Sequence, residues 1–219
     1  MDLQLLEYLQ TYLTERRKAL FKEVLSKRTR HFTVVTEDVY QMHNTSAVIR
    51  SCDVFGVQDL HVVEARFGKR VDKEIAMGAQ KWVNVYRHQD VGLCMEILRK
   101  QGYQIVATTP HQNATLLHEF DVVPKSALFF GTEKMGLSDL VMDSADAFLK
   151  IPMYGFTESL NISVSAAIIL QEVVTRMRVE GIHWALSEME QLELEFQWTK
   201  NSIKSIDKII ERFYYQKKS

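Results

Sequence analysis

Cysteine, proline and glycine are scarce in this chain: two, three and nine of its 219 residues. So little proline and glycine excludes fibrous and low-complexity classes. The two cysteines, Cys52 and Cys94, have no ligand-like neighbours. They read as reduced, buried thiols, and neither a disulfide framework nor a metal site is expected. Nowhere do eighteen apolar residues run together, so no membrane span is predicted. The opening MDLQLLEYLQTYLTERRK carries Asp2 and Glu7 and no small-residue cleavage site, so it does not read as a signal peptide; a cytoplasmic protein is expected. The common ligand fingerprints are missing as well. There is no GxGxxG, no GxxxxGK[ST], no Ser/His/Asp elbow and no HExxH, so any cofactor must be held in another way.

Apolar residues make up 46% of the chain, enough for a sizeable core. The length suits one α/β domain with terminal extensions. A net charge of −1 hides an asymmetry: residues 14–31 sum to +5, residues 200–219 to +4, and the rest to −10. Basic patches attract phosphate and release counterions. A solvated helix face is the bland alternative.

Residues 1–30 carry leucines at helical spacing and read as a helical extension. Six short apolar runs then follow as strand candidates: 32–36, 60–63, 82–86, 104–108, 127–130 and 147–151. Helical stretches separate them. Residues 45–55 end at Gly56, 91–100 stop at Gly102, and 161–180 close at Gly181. Continuous apolar strands between helices predict an α/β fold, a mostly parallel sheet covered on both faces. Residues 184–215 read as further amphipathic helix. The expected organisation is an extension over 1–30, a core domain over 31–180 and a second extension over 181–219.

Three segments stand out. In HNTSAVIRSCDVFG (43–56), Asn44 or Thr45 suits a helix cap, and Arg50 falls among apolar residues, where a cation needs a partner. Taken alone, Arg50 reads as a structural ion pair. In FFGTEKMGLS (129–138), a buried strand ends in Gly131 and a polar turn holds Glu133. Ser138 is a natural N-cap there. The C-terminal ends of strands are where open α/β sheets bind ligands. In IPMYGFTESLNISVSAAIIL (151–170), a glycine-containing loop feeds a helix rich in small residues, with Ser159, Asn161, Ser163 and Ser165 at the junction.

Together and in this order, the segments resemble the three motifs of the SpoU (TrmH-like) branch of the SPOUT methyltransferases. The match lies in N-x-x-x-x-x-R (Asn44, Arg50), in G-x-E-x-x-G-[LVI]-S (Gly131, Glu133, Gly136, Ser138) and in Ile151 to Ala167. It extends over about residues 30 to 180. The His43–Asn44 pair and the IPM…SLN wording resemble the branch that methylates the ribose of the D-loop guanosine at tRNA position 18.

The resemblance implies a C-terminal trefoil knot, which no apolar pattern predicts because knots are nearly absent from proteins. It implies S-adenosylmethionine as cofactor, held by Thr108, Gly131, Glu133, Gly136, Ile151, Met153 and Leu160. It implies a homodimer, no metal, and Arg50, Asn44, Glu133, Ser159 and Asn161 as the catalytic set. Arg50 would fix a phosphate beside the reacting ribose, since a guanidinium is a poor base. With a function in view, the basic residues acquire one. Arg16, Arg17, Lys18, Lys22, Lys27, Arg28 and Arg30, with Arg176 and Arg178, would grip the RNA backbone beside His43. The N-terminal arm is slightly longer than in that branch and its arginines do not align cleanly, and the segment from Gly181 has no match there, so ribosomal RNA or another tRNA ribose is the alternative substrate. A silent RNA-binding module is the non-enzymatic one.

Overall fold

The structure is a computed structural model that describes residues 2–39, 42–64, 78–110, 113–132 and 134–218. The chain divides into two compact units, Thr29–Trp184 and the paired termini Met1–Arg28 with Ala185–Ser219.

The larger unit is built on seven strands, β1 (Phe32–Glu37), β2 (Asp59–Val63), β3 (Asn84–His88), β4 (Gln104–Thr108), β5 (Thr115–Leu116), β6 (Ser126–Phe130) and β7 (Ala147–Lys150). All pairings are parallel, in the order β3-β2-β1-β6-β4-β7-β5. All six predicted strands form, shifted by at most two residues at their starts. The two-residue β5 was not predicted, being too short to carry a periodic signal. The central strands β1, β2 and β6 are buried along their whole length, as the apolar runs require of a sheet covered twice.

On one face, β1, β2 and β6 meet α3 (Met42–Phe55) and α6 (Ile162–Val179) around Phe32, Val48, Leu128, Ala166 and Val173. On the other lie α4 (Val91–Lys100) and α5 (Asp139–Ser144), packed on Val35, Ala107 and Phe129. Gly56 and Gly102 follow α3 and α4 at φ 79° and 84°, left-handed positions that favour glycine. Gly181 plays no such part: α6 ends at Val179 and Glu180 turns the chain out in an extended conformation.

In the smaller unit, the expected single N-terminal helix is two: α1 (Leu3–Gln10), capped by Asp2, and α2 (Glu15–Leu25), capped by Thr14. The C-terminal stretch is likewise split, into α7 (Glu188–Ser202) and α8 (Ile206–Lys218). Ser187 and Glu190 form a capping box that starts α7. The break before α8 falls at Ser205, whose φ of 53° no helix interior accommodates. Trp198 is fully buried here, edge-on to Phe21, and Gln10 bonds Glu195.

Candidate active site

Three parallel strands end together on one side of a cavity of about 670 Å³. Its walls come from Thr108–Pro110 after β4, Phe130–Thr132 and Lys134–Leu137 after β6, Leu149–Ile151 and Met153 after β7, and the start of α6. The size and the mixture of apolar walls with a few polar groups are those of a small-ligand pocket.

Local geometry explains why the second motif is shaped as it is. A Cβ on Gly131 would collide with the backbone of Gly136 and Leu137. The chain therefore folds back on itself here through a Thr132–Gly136 bridge, with backbone bonds of 3.0 and 2.9 Å. Gly136 sits at φ 68° and the Thr132 hydroxyl accepts the Met135 N–H, so the turn is fixed from both ends. Ser138 caps α5 as expected. The Ser138 N–H also donates to Glu37 Oε2 at 2.9 Å. Glu37 is a buried carboxylate at the end of β1 that straps the loop to the sheet. Sequence reasoning passed over it, although an acid directly after a buried run was its signal. The next residue, Asp38, is held at φ 51°, a conformation rare outside glycine and a mark of local strain.

Every residue expected at the cofactor and lying within the described residues lines this cavity: Thr108, Gly131, Gly136, Ile151, Met153 and Leu160. Ser159 joins them. Glu133 lies outside the described residues. The Thr108 hydroxyl donates to the Phe129 carbonyl at 2.7 Å, which fixes the mouth of β4 against β6.

The other three expected catalytic residues, Asn161, Asn44 and Arg50, are not among the residues lining the cavity; Asn161 lies between two that are, Leu160 and Ile162. Asn161 is the N-cap of α6, its side-chain oxygen accepting the Ser163 N–H at 2.9 Å. Its amide donates to Asn44 Oδ1 at 3.1 Å. Asn44 is not the cap of α3, because the helix starts two residues earlier. It is buried within the first turn and carries the link to α6. Arg50 departs from its expected setting. Helical phase turns Asn44, Thr45, Val48, Ile49 and Cys52 inward and His43, Arg50 and Val54 outward. Arg50 is exposed and forms no ion pair among the described residues, so the structural ion pair that its apolar neighbours suggested is not there.

The basic residues fare unequally. Arg16 and Arg17 are exposed, as are Lys22 and Lys27. Lys18 pairs with Glu15 and Lys27 with Glu23. Arg28 is a correction: it is 1% exposed, its guanidinium 5.3 Å from the Trp198 ring centre, and it presents nothing to a phosphate. Arg30 is bound to Asp59 at 2.9 Å. Arg176 donates to the Leu117 carbonyl and Arg178 lies over Trp184 at 4.4 Å. Cys94 has no ligand-like neighbours along the chain, but the fold brings it beside His61 and His88.

A parallel α/β sheet with a ligand cavity at its strand ends, walled by glycine-tightened loops, defines a cofactor-binding enzyme fold that does without the usual glycine fingerprint. The sequence pattern of the SpoU rRNA Methylase family matches residues 31–171, and the chain belongs to that family. It is 36% identical over 197 residues to a tRNA (guanosine(18)-2′-O)-methyltransferase of Borreliella burgdorferi, covering 90% of each chain. Against the enzyme of the same name from Escherichia coli strain K12 it is 35% identical, covering 83% of this chain and 81% of the other. Among solved structures, a TrmH/SpoU tRNA-modifying enzyme of A. aeolicus superposes with a TM-score of 0.77 at 32% identity, over 87% of this chain and 98% of that one.

Proposed function

We propose that this protein transfers the methyl group of S-adenosylmethionine to a ribose 2′-hydroxyl of tRNA, at the D-loop guanosine of position 18. The observation that carries the reading is the Asn44–Asn161 bond. It ties the helix bearing Arg50 to the loop–helix junction that walls the cavity, so acceptor and cofactor groups share one rigid frame. Family membership and the two relatives of that name support the substrate.

The cavity fits the cofactor by its own geometry: it opens at the strand ends, and the loop after β6 that walls it closes on itself so tightly that Gly131 has no room for a side chain. Once bound, the cofactor supplies an electrophilic methyl on a sulfonium, so that the O–C bond forms as the C–S bond breaks. The protein's part is to hold oxygen and carbon in line at about 3–3.5 Å. Exposed Arg50 takes the phosphate next to the reacting ribose and stabilises the developing alkoxide. The hydroxyl proton leaves to phosphate or water, because a guanidinium with a pKa above about 12 does not accept it. Asn161, fixed by Ser163 and Asn44, orients the ribose. Ser159 and Glu133 shape the pocket between cofactor and acceptor. The exposed Arg16 and Arg17, with His43, hold the RNA backbone.

The same reading carries a trefoil knot formed by the loops after β6 and β7, supported by strand order, since β4 separates those two strands and both loops reach the same cavity. It carries a homodimer through the outer faces of α3 and α6. Val54, Val164 and Ile168 are exposed there, apolar surface that a second copy would cover. It places the protein in the cytoplasm with its tRNA. Among the described residues no helix is long and apolar enough to cross a membrane.

The test is methyl transfer from labelled cofactor to unmodified tRNA and ribosomal RNA, followed by mapping of the 2′-O-methyl. A single product at guanosine 18 is expected. A product on ribosomal RNA, at another tRNA ribose, or none at all would overturn the assignment. Gly131→Ala is expected to abolish cofactor binding measured by calorimetry, because the added methyl runs into the backbone of Gly136 and Leu137.

A further inference from the structure

We propose that His61, His88 and Cys94 form a site for a borderline-soft transition metal, Zn²⁺, at the β2/β3 edge of the sheet. His61 is in β2 and His88 ends β3; the register pairs His61 with Tyr86 and Val63 with His88. The two histidines are thus diagonal neighbours on one face, the face that α4 covers. Asp90 caps α4 and sets its phase, which turns Cys94 inward onto that face. Their ligand atoms all lie within 4.8 Å of one another, and His61 Nδ1 is 2.9 Å from His88 Nε2. Among the described residues no other three histidine, cysteine or acidic side chains converge in this way.

The donor set selects the ion. Two imidazole nitrogens and one sulfur suit zinc; magnesium and calcium take oxygen. The contact between His61 Nδ1 and His88 Nε2 requires one of the two nitrogens to be an unprotonated acceptor, so a ring lone pair already points into the cluster. Cys94 is in no disulfide, and its sulfur lies on the same buried face as the two rings. Binding converts Cys–SH and the ion into a thiolate–metal bond and one proton released to water. The proton between the two rings moves to the far nitrogen of the ring that carries it. With about 2.0 Å to each nitrogen, a tetrahedral ion sets the two about 3.3 Å apart, a separation of a few tenths of an ångström from the present contact. Three protein ligands leave a fourth position for water, and partly exposed His88 is where solvent reaches the cluster.

The site is distinct from the cavity. The cavity lies at β6, β4 and β7, and β1 and β2 stand between those strands and β3. The ion's role would be structural: it pins the edge strand β3 and helix α4 to β2.

The test uses the full chain freed of metal by chelation, then titrated with Co²⁺ and Zn²⁺. Expected are one ion per chain, a thiolate-to-cobalt charge-transfer band that Zn²⁺ abolishes, and a thermal midpoint raised by several degrees with Zn²⁺. Cys94→Ala should remove the band, His88→Gln should weaken binding at least about tenfold, and Cys52→Ser should change neither. Because the band is read first on the unmodified chain, a variant that fails to fold does not decide the outcome. Absence of the band from the unmodified protein, its persistence in Cys94→Ala, or only loose binding of several ions would overturn the proposal.

Discussion

The two units put similar residues to different uses. In Thr29–Trp184, the chemistry-bearing side chains are few and individually placed. Arg50 faces outward on α3 while Asn44, six residues earlier, faces in and binds Asn161. In the terminal unit the cations are many, but several are committed within the unit: Lys18 to Glu15, Lys27 to Glu23, Arg28 to the Trp198 ring. Local charge therefore overstates how much of that unit can hold phosphate. Exposure decides, and it favours Arg16 and Arg17.

The largest effect that would sharpen this contrast is on stability. Trp198→Ala empties the centre of the terminal unit and should cost about 3–5 kcal/mol in denaturant unfolding of that unit. Cofactor affinity of the sheet unit should stay within a few-fold; a larger drop would break the division of labour. Next is Arg50→Ala, expected to lower methyl transfer by about 10²-fold or more, with cofactor binding unchanged. Arg50→Lys should recover little of this, since it keeps the charge and loses the planar fork. Recovery to near-normal turnover would show that charge alone suffices. Third, Arg16→Ala with Arg17→Ala should flatten the salt dependence of tRNA binding, by up to about 0.9 in slope for each phosphate that an arginine no longer neutralises. Arg28→Gln should leave that slope alone and lower the melting point. If it flattens the slope too, Arg28 is not spent on Trp198.

The smallest effect concerns pH. His31 donates a ring N–H to the Val122 carbonyl at 2.8 Å, and burial holds its imidazole below the ordinary histidine value despite that bond. On acidification the unfolded chain takes up a proton near pH 6.5 while the folded ring resists. Stability from this residue is complete above that pH and is lost as pH falls through the folded value. His31→Gln should make unfolding free energy less dependent on pH below about 6.5. An unchanged profile would remove His31 from the acid response.

Legibility followed the strength of the local constraint. The apolar runs 32–36 and 127–130 could be read as buried strands because a doubly covered parallel strand tolerates few polar residues. Gly131 could be read at the end of a buried run, while Gly136 came only with the family motif; in the structure one admits no Cβ and the other holds a left-handed φ. The ion pair that the apolar neighbours of Arg50 suggested did not form, because proximity in sequence to Val48 and Ile49 says nothing of helical phase until the helix boundaries are fixed. The Asn44 cap failed for the same reason, as α3 starts two residues earlier. Glu37 was missed since its partner, the Ser138 N–H, is 101 residues away.

By itself, the sequence determined the parallel α/β class, the three motif segments and their order, since these depend on residue type over a few neighbouring positions. Only the tertiary structure decided the rest. It brought Asn161 to Asn44, buried Arg28 under Trp198, joined two terminal segments into one unit, and set Cys94 beside His61 and His88. Each of these pairs residues distant in sequence. Such pairings are fixed by strand order and helix phase, and no local pattern encodes them.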